Sequence, residues 1–454
     1  MSDLCIINAS QLPQGSAAVP VGPLLVTAAL ENHGYRVRFM DYQTHNIEKK
    51  LSSNVFYDFI QIQEKILGIS AINGNTPTVL GAIRRLKEEG SEKVIILGGP
   101  GPTDLPSEIM EHFPVDIIVI GEGEETIVEV MEALDGEKEL KDVAGIAYRD
   151  NGRIVVNPRR KRIENLDSLP FPAYHKIDFK DYGGKATIAT SRGCPYRCGF
   201  CSAHSIWEHQ VTYRGIKDVV EEISSIEDNI TEIHFSDDTL LLRIKRAMEL
   251  CESMKRENLN HLKWSCYGRV NETTKDILQT LVSGGCNEIL FGIESGSERV
   301  LQELNKKIDL AQAKKVVKKA AKYIEKVHTS YIWGFPFATL EEFYQTVFNV
   351  AEDKQLPNTV VHFQFLSPLP KSPLFEKYGS LIHFDENFYP IQNTLDIHDG
   401  ISNYSKIKSL IEKYPNIFSS FYYYDHETLP MKKAIVEKIE NRSLKNSPAG
   451  EDTQ

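Results

Sequence analysis

Residues 191–204 read SRGCPYRCGFCSAH. The spacing is C-x3-C-x2-C, with Cys194, Cys198 and Cys201 on one short loop directly after a run at 186–190 that predicts a strand. Thiolates are the usual protein ligands of iron–sulfur clusters. Three on one tight loop can cap three irons of a [4Fe–4S] cube and leave the fourth open, and an open coordination site is what metal chemistry on a substrate requires. Gly193 and Gly199 relieve backbone crowding around such a cube. Two other readings of the loop stand beside this one. A structural zinc site would take His204 as fourth ligand, but zinc sites usually pair two short Cys/His hooks and the sequence offers no second one. A nucleophilic cysteine needs one thiol rather than three.

Downstream of the loop, strand and helix signals alternate. Strands are predicted at 186–190, 232–236, 263–267, 288–292, 328–333 and 359–365, with helices at 216–226, 243–257, 273–283, 299–304, 310–325 and 340–354. Six successive βα units predict a partial (β/α)6 TIM-type barrel over 185–375, working at the carboxyl ends of its strands. Upstream, strands at 4–8, 37–40, 66–71, 94–97 and 116–120 alternate with helices at 22–32, 77–89 and 107–112, and His33 with Gly34 stops the first helix. This predicts an α/β, Rossmann-like (flavodoxin-like) domain over 1–140. Its later strands end in the segments 70–75, 98–103 and 121–124. These form a ligand rim, because open α/β sheets take ligands beyond the carboxyl ends of their strands; taken singly, each reads equally well as a turn.

Between the two, 141–184 reads as a linker. It holds a hairpin at 145–156 around Asn151 and Gly152, and a basic run, Arg159, Arg160, Lys161 and Arg162, expected to be a solvated face. From 376 the βα rhythm is lost. A small C-terminal extension over 376–441 carries Phe418, Phe421, Tyr422, Tyr423 and Tyr424, read as core more than as a substrate wall, and the polar tail 442–454 is expected to be disordered.

The 454 residues are too many for one ordinary domain, and the net charge of −11 argues against nucleic-acid or anionic-membrane partners. No apolar run approaches membrane-spanning length, and the opening MSDLCIINAS has no secretory pattern. Seven cysteines, three of them crowded together, fit a reducing compartment, and a cytoplasmic location is expected. Cys5, Cys251, Cys266 and Cys286 read as buried free thiols. No cysteine follows Cys286, which leaves no C-terminal auxiliary cluster.

The cysteine loop, with Phe200 before its third cysteine, resembles the signature of the radical S-adenosylmethionine (SAM) superfamily. The flanking segments resemble the members that carry a cobalamin (B12)-binding domain. The resemblance implies that the open iron binds the amino and carboxylate groups of SAM, and that an electron from the cluster splits SAM into methionine and a 5′-deoxyadenosyl radical. TYRGIKDVVEEI (212–223) looks like the helix after the cluster loop. HFSDDT (234–239) falls where the family contacts the SAM amino group, which points to Ser236 and Asp237. CYGRVN (266–271) places Arg269 for the SAM carboxylate, and GGCNEILFGIESGSERVL (284–301) places Glu294 and Ser297 for the ribose hydroxyls. WGFPFATLEEF (333–343) and LSPLPKSPLFE (366–376) match the fifth and sixth strands. Taken singly, Asp237 and Asp238 also read as helix caps and Arg269 as an ion-pair partner.

The first domain resembles the cobalamin-binding module of the same enzymes through VPVGPLLVTAALENHGYRVRFMD (19–41), GISAINGN (68–75), LGGPGPTDLP (97–106) and GEGEET (121–126). Ser70, Asn73, Gly99, Pro100, Gly121, Glu122 and Gly123 are the cobalamin contacts so implied, with glycines that let a flat corrin approach the backbone. The D-x-H-x-x-G pattern of an axial histidine is absent, since His45 follows Asp41 at the wrong spacing. Bound cobalamin would therefore lack a histidine lower ligand, as is common in the radical SAM relatives. The alternative is a flavodoxin-like domain that has lost cobalamin.

The resemblance implies a methyltransferase. One SAM charges cobalamin with a methyl group, and a second yields the radical that activates an unactivated carbon of a small molecule or peptide. A non-methylating cyclisation, ring rearrangement or C–C bond formation is the runner-up, because it would use the same cofactor residues. Methylthio transfer would need a second cysteine triad in the first domain, where only Cys5 lies. A non-catalytic cofactor-binding sensor is the reading from another class. A flavodoxin- or ferredoxin-type electron donor is the partner expected.

Overall fold

Leu4–Asn8 (β1) is apolar but for its last residue, and all five residues are buried. Such a strand belongs in a sheet covered by helices on both faces. It pairs in parallel with Val37–Asp41 (β2) on one side and Ile66–Ser70 (β3) on the other. Val94–Gly98 (β4) and Ile117–Val119 (β5) continue the sheet in parallel. In this computed structural model residues 2–10, 17–45, 53–385 and 404–446 are described. The helix Thr76–Glu88 shows how the helices attach: Val79, Leu80, Ile83 and Leu86 form one buried stripe.

The predicted hairpin is present as Ile146–Asp150 (β6) and Arg153–Val156 (β7), but it is no linker element. β6 pairs antiparallel with β5, so the first sheet has seven strands in the order β2-β1-β3-β4-β5-β6-β7 and runs on past residue 140 to Val156. A two-stranded hairpin is marginal alone, and docking on β5 buries Ile146, Ala147 and Tyr148. The chain order reverses between β1 and β3. Register there sets Asn8 beside Asp41 and Ser70, and Ser70 beside Gly98, which aligns the strand ends in one rim.

The second sheet begins with Lys185–Ile188 (β8). Two short strands, Ser191–Arg192 (β9) and Thr212–Tyr213 (β10), pair antiparallel and bracket the cysteine loop. Glu232–Phe235 (β11), Lys263–Gly268 (β12), Cys286–Glu294 (β13), Lys326–Trp333 (β14) and Thr359–Phe365 (β15) complete six parallel strands in the order β15-β14-β13-β12-β11-β8. β8 and β15 are the two edges, so the barrel is partial. Ile233, Phe235, Trp264, Cys266, Ile289 and Phe291 are packed under helices, while the alternate residues His234, Ser265 and Glu288 are only half-buried on the concave side. A closed barrel would fill that side with packed side chains; this one leaves it open at its mouth.

The C-terminal extension joins the two halves. Phe418 and Phe421 enter the core of the first domain beside Met110 and Phe113, whereas Tyr423 packs with Trp333 and Phe365 of the barrel. Ser419 Oγ donates to the Pro368 carbonyl at 2.7 Å, and Ser367 Oγ to the Ser420 carbonyl at 2.8 Å. Tyr423–Tyr424 (β17) pairs antiparallel with Ile382–His383 (β16). The last helix, Leu429–Asn446, continues beyond the expected start of the tail at 442, and residues 447–454 lie outside the described part.

Candidate active site

Every cysteine is a free thiol. Cys5, Cys251, Cys266 and Cys286 are buried in the cores, while Cys194, Cys198 and Cys201 are half-buried on the loop. That loop is held at both ends. Gly193 sits at φ +100°, where a side chain would collide with the Gln210 carbonyl. At the far end the Gly199 N–H donates to the Leu304 carbonyl at 2.8 Å, and the Leu374 N–H donates to the Gly199 carbonyl at 2.9 Å. Burial pushes the Cys194 thiol up and the Cys201 thiol up to about 11. Metal cations would offset that burial, since ligation requires the thiolate. His204, the candidate fourth zinc ligand, stacks on His209 with ring centroids 5.2 Å apart. Among the described residues no three His, Cys, Asp or Glu side chains gather around a single ion. A cubane, which gives each thiolate its own iron, needs no such gathering.

The barrel mouth separates two adjacent carboxylates. Asp237 is turned inward: it accepts from the Thr190 N–H at 3.0 Å, from Thr190 Oγ1 at 2.7 Å and from Ser191 Oγ, which ties β8 to the start of the loop. Ser236 and Asp238 line the cavity instead. Burial and the charge of Asp237 push Asp238 up to about 6. Arg269 is buried, its guanidinium carbon 3.6 Å from the ring centroid of Tyr196 in the cysteine loop, and its Nε is 3.8 Å from Glu272. Its Nε and Nη2 have no hydrogen-bond partner. Buried donors left open in this way suit an anionic ligand.

Glu294 lies at φ +69°, next to a register shift in β13, and pairs with Lys306 Nζ at 2.7 Å. The same ammonium is 5.7 Å from the ring centroid of Phe200. Ser297 caps the helix Glu298–Glu303 by accepting from the Val300 N–H.

The first domain meets this mouth across a cavity of about 510 Å³, within the usual size range of ligand sites. Ser70, Gly99, Pro100, Gly121, Glu122 and Gly123 line one side, and Ser191, Arg192, Trp207, Ser236 and Asp238 line the other. Asn73 is not among the lining residues. Its neighbour Asn75 is buried and shapes the loop, accepting from the Ile72 N–H at 2.9 Å and donating to the Ala9 carbonyl at 2.5 Å. At Gly22, Gly98 and Gly121, all on the wall, an added Cβ would meet no atom closer than 3.7 Å. Bare backbone therefore leaves a cradle that side chains would otherwise fill, which fits a broad flat ligand.

The basic run is a solvated face only in part: Arg159 and Lys161 are exposed, but three of its arginines are engaged. Arg160 reaches Glu129 at 2.7 Å, and Arg159 reaches Glu208 at 3.1 Å. Arg162 donates to the Gln210 carbonyl at 2.9 Å and lies 5.0 Å from the ring centroid of Trp207. The linker thus straps the segment after the cysteines to the first domain. Sequence reasoning missed this strap and also Arg192, which binds Glu122 at 2.8 Å and Glu124 at 2.6 Å across the cavity edge. Alternating acids in GEGEET and an arginine before the first cysteine were the only local signs.

Residues 188–349 match the Radical SAM superfamily and residues 15–131 the B12 binding domain. The uncharacterized methyltransferase PH0819 of Pyrococcus horikoshii is 31% identical over 373 residues, covering 80% of this chain and 79% of that one. The anaerobic magnesium-protoporphyrin IX monomethyl ester cyclase of Cereibacter sphaeroides is 27% identical over 391 residues, covering 82% and 62%. In fold, the radical SAM methyltransferase TsrM of Kitasatospora setae, solved with cobalamin and a [4Fe–4S] cluster, superposes with a TM-score of 0.68 at 18% identity, covering 84% of this chain and 75% of that one.

Proposed function

Because the chain belongs to the radical SAM enzymes that carry a B12-binding domain, we propose that it is a methyltransferase acting on an unactivated carbon of a small molecule or peptide. Membership brings a [4Fe–4S] cluster, SAM and cobalamin as cofactors. When bound, they supply the electron, the radical precursor and the methyl carrier. The observation that carries the reading is the shared cavity: the strand-end loops of the B12 domain and the residues beside the cysteine loop face one chamber.

The chain's own residues bind and orient. Cys194, Cys198 and Cys201 are the cluster ligands in this reading. Arg269, with two open donors, takes the SAM carboxylate, and Asp238, on the chamber wall, replaces Asp237 as the carboxylate that meets an ammonium. Ser236, Asp238 and Trp207 close the barrel side of the chamber, the glycine rim shapes the corrin side, and together they exclude water from the reacting carbon. Glu294 and Ser297 serve the ribose less directly, one held by Lys306 and the other capping a helix. A flavodoxin- or ferredoxin-type donor supplies the electron. Seven free thiols support a cytoplasmic setting, and among the described residues no helix is long and apolar enough to cross a membrane. Likeness to the Cereibacter sphaeroides cyclase favours a second reading, ring formation with the same cofactors.

The test is anaerobic reconstitution with iron, sulfide and cobalamin, followed by SAM and a reductant. Deoxyadenosine together with S-adenosylhomocysteine is expected; deoxyadenosine alone favours the cyclase reading. Cys198→Ala is expected to abolish cluster binding and SAM cleavage, and cleavage retained in that variant would defeat the assignment.

A further inference from the structure

Arg192 stands two residues before Cys194, separated from it only by Gly193. Its side chain leaves the barrel and enters the B12 domain, where Nη1 donates to Glu122 Oε1 at 2.8 Å and Nη2 to Glu124 Oε1 at 2.6 Å. The three side chains are 11%, 5% and 6% exposed, so the pairs are largely withdrawn from solvent. Glu122 also accepts from the Ile163 N–H at 3.0 Å and lies 3.5 Å from Arg162 Nε. All three members of the clamp line the cavity. Glu122 belongs to the 121–123 rim, and Glu124 opens the helix Glu124–Leu134. The cysteine loop cannot shift without pulling on this rim, because breaking a buried pair strands charges out of water. Gly193, at φ +100° where a Cβ would collide with the Gln210 carbonyl, is the one residue between Arg192 and Cys194.

We propose that Arg192 is a positioning residue that couples the two cofactor sites: an assembled cluster orders the loop, Arg192 then holds the 121–124 rim in its cobalamin-receiving form, and bound cobalamin stabilises the cluster loop in return. The coupling is reciprocal by thermodynamic necessity. The proposal rests on the cofactor reading above.

The experiment measures cobalamin affinity of the full chain, anaerobically, with and without the reconstituted cluster. Cluster-loaded protein is expected to bind cobalamin about tenfold more tightly. In Arg192→Met that ratio is expected to fall to about one. Glu122→Gln combined with Glu124→Gln keeps the shapes of the side chains and is expected to do the same; it serves if Arg192→Met does not fold. A purely structural role would weaken both forms alike and leave the ratio standing. A ratio of one in the parent chain, or an undiminished ratio in the folded variants, overturns the proposal. A chain that binds no cobalamin in either form defeats the cofactor reading as well, and so is told apart from failure of the coupling alone.

Discussion

Replacing Lys306 with Met removes the cation from a buried pair and leaves Glu294 charged inside the barrel mouth. The Nζ–Oε1 distance is 2.7 Å, and the side chains are 8% and 7% exposed. At an effective dielectric near 20 the attraction is about 6 kcal/mol, most of it offset by the desolvation of both ions. What the single substitution exposes is that desolvation without its compensation, a loss of about 3–5 kcal/mol. Glu294 has little room to swing away, because Gly292 lies against its carboxylate and its own backbone is held at φ +69°. Trp207, Trp264 and Trp333 all fall in the barrel half, so tryptophan fluorescence in a urea titration reports that half alone. Lys306→Met is expected to lower its unfolding free energy by the stated amount, and adding Glu294→Gln is expected to recover most of the loss. A single variant within about 1 kcal/mol of the parent, or a double variant no better than the single, refutes the electrostatic account.

Arg269→Met should weaken SAM binding about 10- to 100-fold while iron content stays at the parent level, since a hydrogen bond to a charged group contributes about 1.5–3 kcal/mol; isothermal titration with SAM checks it, and unchanged affinity assigns the open donors elsewhere. Asp104, buried and with one oxygen unpartnered, is pushed up by burial from the ordinary aspartate range to about 6. A carboxyl raised in the folded state contributes stability that is fully present below about pH 4 and lost as the pH rises through 6, about 3 kcal/mol in all. Urea midpoints at pH 5 and 7.5 should therefore differ less in Asp104→Asn than in the parent; equal slopes in the two proteins contradict the burial argument.

Much of the fold was legible because the signals are local. Uniform apolar runs such as Leu4–Asn8 and Val94–Gly98 have one stable home, a parallel sheet covered on both faces, and each was anticipated to within a residue or so at its ends. The hairpin was recognised as a hairpin but assigned to the linker, because its own residues say nothing of the open β5 edge that accepts it. The arginine run is only half legible for a similar reason. Consecutive charges look solvated until Glu122, Glu125, Glu129 and Glu208, brought from other segments, are found beside them.

In the site, the grouping of Cys194, Cys198 and Cys201 on one loop is legible directly, because all three fall within eight consecutive residues. Spacing along the chain is then almost spacing in space. Facing direction and long-range pairing are different in kind. Which of Asp237 and Asp238 meets the cavity depends on how the chain turns at the end of β11, where Thr190 and Ser191 capture the first and the second is left on the cavity wall. The clamp of Arg192 on Glu122 and Glu124 joins residues 70 and 68 positions apart. No local pattern encodes such a contact; it exists because two sheets, each built from its own short-range preferences, come together with their strand ends around one chamber.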